Sequence, residues 1–318
     1  MSKKIWWIIG TALVVVGGIM FAAVMTVYNW DFTKLSTQKY ETSTYQVEDA
    51  FSSISIETDT EDITFVPSED GGCKVVCYGE EDHNYIVKVE DNTLTIGVED
   101  DRKWYGHIGI GFEEHKITVY LPIGEYDVLK IKESTGEVEI PKDFTFGSVD
   151  VSITTGDVQW GASVSGMLKI HTNTGDIKTE DISAGEVDIL VTTGRVNVKS
   201  VVCSGDIKLK VNTGKSSFTD VNCKNFTTNG STGDISLENV IATEKLCIER
   251  DTGDVRLEGC DAGEISIQTD TGDVSGSLLT DKIFIAETDT GRVNVPKSTW
   301  GGICEITTDT GDIKMEIE

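Results

Sequence analysis

Proline, histidine and basic side chains are all scarce in this 318-residue chain: 4 Pro, 4 His, and 27 Lys plus Arg against 54 Asp plus Glu. A net charge of −27 excludes a nucleic-acid binder, whose footprint must be basic. It also argues against lying flat on an anionic membrane. So little proline leaves no rigid linker, and the 32 glycines then read as tight turns. There is no GxSxG motif and no phosphate loop, and Gly109-Ile-Gly111 is too short to signify. Helical periodicity is missing after residue 30. What remains, 38% hydrophobic residues, suffices for a core and argues against wholesale disorder.

One long apolar run is present. Ile5 to Trp30 contains no charged residue, and about 20 apolar residues span a bilayer. Trp6 and Trp7 at one end and Tyr28 and Trp30 at the other fit interfacial belts. Lys3 and Lys4 precede the run and Asp31 follows it, which places the N-terminus in the cytoplasm. A cleaved signal peptide would have a shorter apolar region and a small-x-small site, and Ala22-Ala23-Val24-Met25 offers no clean one. The expected organisation is a cytoplasmic tail (1–4), a transmembrane signal anchor (5–30), a juxtamembrane stalk (31–50) and an extracellular domain (51–318).

The extracellular part repeats itself. Gly136, Gly156, Gly175, Gly194, Gly214, Gly233, Gly253, Gly272, Gly291 and Gly311 recur every 19 or 20 residues, each preceded by threonine. One position earlier stands Ser, Thr, Asn or Asp, residues that close turns through their side-chain oxygens. Around each turn apolar residues alternate with period 2, as in Val187, Ile189, Val191 and then Val196, Val198, which signals strands. One coil of this size buries too little to stand alone, so coils must stack. The fold class is therefore all-β: a single-chain β-helix (β-solenoid) with 19–20-residue coils behind one transmembrane helix. Residues 129–318 read as regular coils. Residues 51–66 read as an early coil in which Glu61 has replaced the glycine. Residues 67–128 lack the turn motif and read as irregular coils with protruding hairpins, or as a small capping sheet. The coil ending at Glu318 reads as an open edge guarded by Lys314, Glu316 and Glu318.

The units STGEVEI, TTGDV, NTGDIK, TTGRVNV and DTGDVRLEG, with the upstream segments ISIETDTEDITFVPSED and HKITVYLP, resemble the bacterial "putative adhesin" domains of envelope proteins, over roughly residues 51–318. The resemblance implies a right-handed β-helix and an envelope location. It attaches no catalytic residues.

Chemistry is sparse. Cys203 and Cys223 share a small-residue column in adjacent coils and either bond or fill space as alanine does; filling is the plainer reading. Cys73 and Cys77 lack the spacing and second ligand pair of a zinc site. Acids after the glycines (Glu137, Asp157, Asp176, Asp234, Asp254, Asp273, Asp312) could hold calcium. However, the calcium nonapeptide is missing, and Arg195, Lys215 and Arg292 interrupt the column, which favours turn capping. The threonines sit beside turns, not on a flat ice-binding face. The best catalytic patch is Trp104, Tyr105, His107 and His115 near Asp100 and Asp101; a surface loop is the commoner meaning of such a segment. His83, His107, His115 and His171 look scattered. No catalytic, cofactor-binding or metal residue is assigned. The expected role is non-enzymatic: an adhesin, or an envelope interaction or sensing module, with a membrane anchor and a glycan, protein or other envelope ligand. The alternative is a glycan-active lyase or hydrolase on the same scaffold, and a cleft gathering two acids with Arg, Lys or His would favour it.

Overall fold

The computed structural model describes residues 3–31, 39–81, 83–99 and 115–318. Lys3–Val27 forms one helix, α1. By length and composition it is able to cross a membrane, a property it shares with signal sequences. Everything that follows is strand and turn. The first nine strands are β1 (Tyr40–Val47), β2 (Ser53–Thr58), β3 (Glu61–Pro67), β4 (Cys73–Glu80), β5 (Asn84–Glu90), β6 (Thr93–Glu99), β7 (His115–Leu121), β8 (Glu125–Thr135) and β9 (Val138–Ile140). From Thr145 to Ile317 the strands follow the turn repeat.

Consecutive coils pair in parallel, one repeat apart. Ile177 lies on Val196, Val196 on Ser216, Ser216 on Ile235 and Ile235 on Val255. At the turn each glycine amide donates to the threonine carbonyl of the next coil, as in Gly156 to Thr174 (2.9 Å) and Gly214 to Thr232 (2.8 Å). The glycines take φ between 130° and 159°, where L side chains are strained. They also sit directly on one another: a Cβ at Gly194 would fall 1.9 Å from the Gly175 carbonyl oxygen. The column must be glycine because the backbone leaves no room for anything else.

Each coil has a second corner that is less visible in the sequence. Asp181, Ser200, Asp220, Asn239 and Gly259 all have φ between 53° and 57°, and the buried apolar residues Ile182, Val201, Val221, Val240 and Cys260 follow them directly. Short polar residues tolerate this left-handed bend by bonding locally. A third corner carries register shifts between Val164 and Met167, Cys223 and Asn225, and Ala242 and Lys245. These bulges take up the difference between 19- and 20-residue coils. Inside, columns of Val, Ile and Leu run the length of the stack. Phe218 meets Phe226 edge-on at 4.9 Å. Trp160 is buried and its indole N–H donates to the Ala162 carbonyl at 2.7 Å.

The coils do not stack in chain order at either end. At one end β2 and β3 lie between two coils: β6 and β7 on one side, β8 and β9 on the other. At the other end Gly302–Thr310 and Ile313–Ile317 pair with Val255–Thr271 and Val274–Leu278. Lys282–Thr290 and Val293–Asn294, earlier in the chain, lie outside them. The turn column therefore reads His115, Glu61, Gly136, Gly156, Gly175, Gly194, Gly214, Gly233, Gly253, Gly272, Gly311, Gly291. At about 4.8 Å per level these twelve levels make a rod roughly 50 Å long.

Two expectations change. The open edge is the Lys282–Thr290 level, which exposes Ile283, Ile285 and Val293. The segment with Lys314, Glu316 and Glu318 is instead drawn inward, and the Glu318 amide donates to Leu278. The reason is burial: Cys304, Ile306, Ile313 and Met315 gain neighbours on both sides and are at most 2% exposed. The second half of the expected stalk is also a strand, since β1 runs antiparallel along β4 from Tyr40–Glu80 to Val47–Cys73 and turns Tyr45 and Val47 toward the core. In the 67–128 segment both readings hold in part. β6 and β7 form a coil, while β5 and β4 run antiparallel on them as a cap. β5 and β6 are joined by Asp91 and Asn92, both at positive φ (47° and 61°), the two-residue hairpin geometry that matches strand twist.

Gly194→Ala is expected to destabilise the solenoid by about 3 kcal/mol, combining strain and overpacking. Gly124→Ala, where an added Cβ meets nothing within 4 Å, is expected to be close to neutral. Denaturant midpoints of the two variants check this.

Candidate functional site

The glycine column ends in Glu61 and His115. Glu61 is paired with His115 on β7, and two residues on, Ile63 is paired with Val138, which puts Glu61 level with Gly136. With no regular coil beyond β7, side chains have room there. Glu61 is wholly buried. Its Oε2 accepts the amides of Thr60 (2.9 Å) and Asp59 (3.1 Å). Its Oε1 lies 3.1 Å from His83 Nε2 and 3.9 Å from His115 Nδ1 but makes no hydrogen bond.

His83 reaches this point from the link between β4 and β5, so the cap and the coil below it both contribute. The His83 and His115 rings lie 5.1 Å apart, with side chains 8% and 14% exposed. Thr60 Oγ1 is 3.2 Å from His115 Nδ1, and Glu80 Oε1 is 3.8 Å from His115 Nε2. Glu61, His83 and His115 each offer one ligand atom, all within 4.8 Å of one another. Burial works to raise the Glu61 carboxyl, but His83 and the two turn amides outweigh it and hold its pKa below the usual carboxylate range. Tyr85 beside His83 is displaced upward by burial and by the charge of Glu61.

One strand away, buried Glu133 receives the Thr58 hydroxyl while its Oε1 has no partner. Burial, aided by the neighbouring Glu61 charge, pushes its pKa up to about 7 against the opposing Thr58 bond.

Sequence reasoning missed this cluster. Glu61 stood out in the glycine column, but nothing in the spacing placed His83 near it. Of the expected catalytic patch, only His115 is among the described residues; Asp100, Asp101, Trp104, Tyr105 and His107 lie outside them. His171 sits on Ser163–Thr174, in the regular coils.

A profile of the Toastrack family, DUF4097, matches residues 51–212 and again 201–318. The chain belongs to the Toastrack family. Solved structures similar to it include a "putative adhesin" from Bacteroides fragilis, 15% identical with a TM-score of 0.42, covering 88% of this chain and 98% of that one. A "putative lipid binding protein" from Parabacteroides distasonis is 16% identical with a TM-score of 0.34, covering 77% and 98%. A "putative cell adhesion protein" from Clostridium sporogenes is 10% identical with a TM-score of 0.24, covering 88% and 100%. At these identities and scores none of the three bears on function. No curated protein matches the chain.

The acid column of this Toastrack chain acts locally. Asp157, Asp176, Asp254 and Asp273 each accept, through Oδ1, the amide of the following residue in the column, at 2.7–2.9 Å. The basic residues that interrupt the column are its partners: Arg195 forks onto Asp176, and Lys215 reaches Asp234 at 2.6 Å. These carboxylates cap turns.

All seven cysteines are free, and Cys203 and Cys223 are both buried. Burial pushes the Cys223 thiol up to about 12. The thiols fill space. A cleft of about 720 Å³ between Gln46–Phe51 and Gly71–Cys73 is lined by Glu48 and Asp49 but by no Arg, Lys or His. A shallow groove does gather Asp157, Asp176, Lys178 and Arg195, but Asp157 and Asp176 are engaged as above and Lys178 pairs with Glu180.

Glu133 gives the site a pH signature. Between its ordinary value of 4.5 and about 7, the unfolded chain loses a proton that the folded chain keeps, so stability falls as pH rises. Above 7 the full cost, about 3 kcal/mol, is present. Glu133→Gln is therefore expected to stabilise the protein by up to about 3 kcal/mol at pH 8 and far less at pH 5. Unfolding in chelator at both pH values checks this.

Proposed function

We propose that this Toastrack chain is a single-pass membrane protein whose cytoplasmic N-terminus is held by α1, and whose solenoid stands outside a bacterial cell as a non-enzymatic binding module. Lys3 and Lys4 before the apolar run and Asp31 after it support that orientation. The observation that carries the binding role is the outer ridge. Its charged groups are tied to neighbouring levels by hydrogen bonds and ion pairs, which leaves a rigid and regular surface on a chain of net charge −27. Such a surface suits extended contact with a basic or cationic envelope ligand, whether glycan or protein.

The glycan-active alternative needs two carboxyls flanking an accessible glycosidic bond. Glu61 and Glu80 do gather with two histidines, but Glu61 is fully enclosed and His83 is 8% exposed, so no sugar ring reaches them.

Cells displaying the full-length chain are expected to bind cationic envelope glycans or proteins, with binding reduced severalfold by high salt and no shortening of any glycan. Glycan cleavage that the chain alone accounts for would overturn the reading. For orientation, Thr299→Cys is expected to react with a membrane-impermeant maleimide on intact cells. Labelling only after lysis would place the solenoid inside.

A further inference from the structure

We propose that Glu61, His83 and His115 form a zinc-binding site that fastens the antiparallel cap to the solenoid. The three residues come from three separate pieces of chain: Glu61 begins β3, His115 begins β7, and His83 lies in the link from β4 to β5. An ion held by all three joins the two outermost coils to the cap.

The donor atoms are arranged for it. Glu61 spends Oε2 on two backbone amides and keeps Oε1, buried and without a hydrogen bond, facing both rings. Zinc binds N and O ligands at roughly 2.0–2.2 Å, so two ligands of one tetrahedral ion stand about 3.4 Å apart. The Glu61–His83 separation of 3.1 Å and the Glu61–His115 separation of 3.9 Å bracket that distance. The Thr60 hydroxyl at 3.2 Å from His115 Nδ1 donates to it when Nδ1 carries the lone pair. The ring proton then sits on Nε2, toward Glu80 at 3.8 Å. Zinc takes the place of the Thr60 hydroxyl on that lone pair. Glu80 becomes the outer carboxylate that orients a ligating imidazole.

Two imidazoles and one carboxylate suit zinc and its first-row neighbours, while calcium and magnesium want all-oxygen shells. With three protein ligands, the fourth position is left for water. The rings' slight exposure gives the ion its way in. The same cluster without metal is a carboxylate paired with a protonated histidine, and the experiment separates the two.

Full-length protein in detergent is stripped with chelator and titrated with zinc alone and with calcium alone. The expected result is one zinc per chain, a rise in the melting temperature, and zinc X-ray absorption showing two imidazole nitrogens. His83→Gln and Glu61→Gln are expected to weaken zinc binding by at least roughly 100-fold, and Glu80→Gln by roughly 10- to 100-fold. The X-ray absorption needs no variant, so a substitution that fails to fold does not shelter the proposal. No retained zinc, an all-oxygen shell, or uptake unchanged in folded His83→Gln would each overturn it. So would stabilisation by calcium but not by zinc.

Discussion

The close approach of backbone to backbone at the Thr-Gly turn governs this molecule. Parallel strands must lie within hydrogen-bonding distance, and at the turn the amide of one level donates straight into the threonine carbonyl of the next. A Cβ there would fall within 1.8–2.2 Å of the neighbouring glycine's oxygen in the regular coils. The repeat must therefore return a glycine to the same place on every circuit. Because the circuit closes so strictly, the apolar columns superimpose and one continuous core forms. No single coil could be stable without that superposition, since its buried side chains do not offset the backbone entropy of ordering it.

Where the constraint ends, chemistry becomes possible. Gly136 still needs to be glycine, because its Cβ would meet the Glu61 carbonyl oxygen at 2.3 Å. Glu61 and His115 escape the rule, since beyond them stand only cap strands that run antiparallel. The space released is filled by a carboxylate and an imidazole in place of two missing glycines. Polar groups buried this deeply are costly unless they are partnered, and the partners come from the turn amides and from the link ahead of β5. Elsewhere the charges stay outside and pair between levels, so the rod presents its acidity as a fixed pattern.

The ends show a second tension. A solenoid has two open sheet edges, which invite association unless they are covered. Here both ends place a coil out of chain order. At the first, β6 and β7 pass outside β2 and β3 and are then closed by β4 and β5. At the other, the last strands slip inward and leave Lys282–Thr290 at the edge with Ile283 and Ile285 exposed.

From the sequence alone the repeat period, the turn chemistry, the strand alternation and the apolar helix could all be read, because each is a local pattern that recurs. The glycine column in particular follows from steric exclusion between neighbouring levels, and Glu61 already stood out as its exception. Only the tertiary structure decided the order of the end coils, the strand role of Tyr40–Val47, and the meeting of His83 with Glu61 and His115. Those depend on which surfaces gain most by burial and on pairings between segments that share no motif, and neither leaves a periodic trace along the chain.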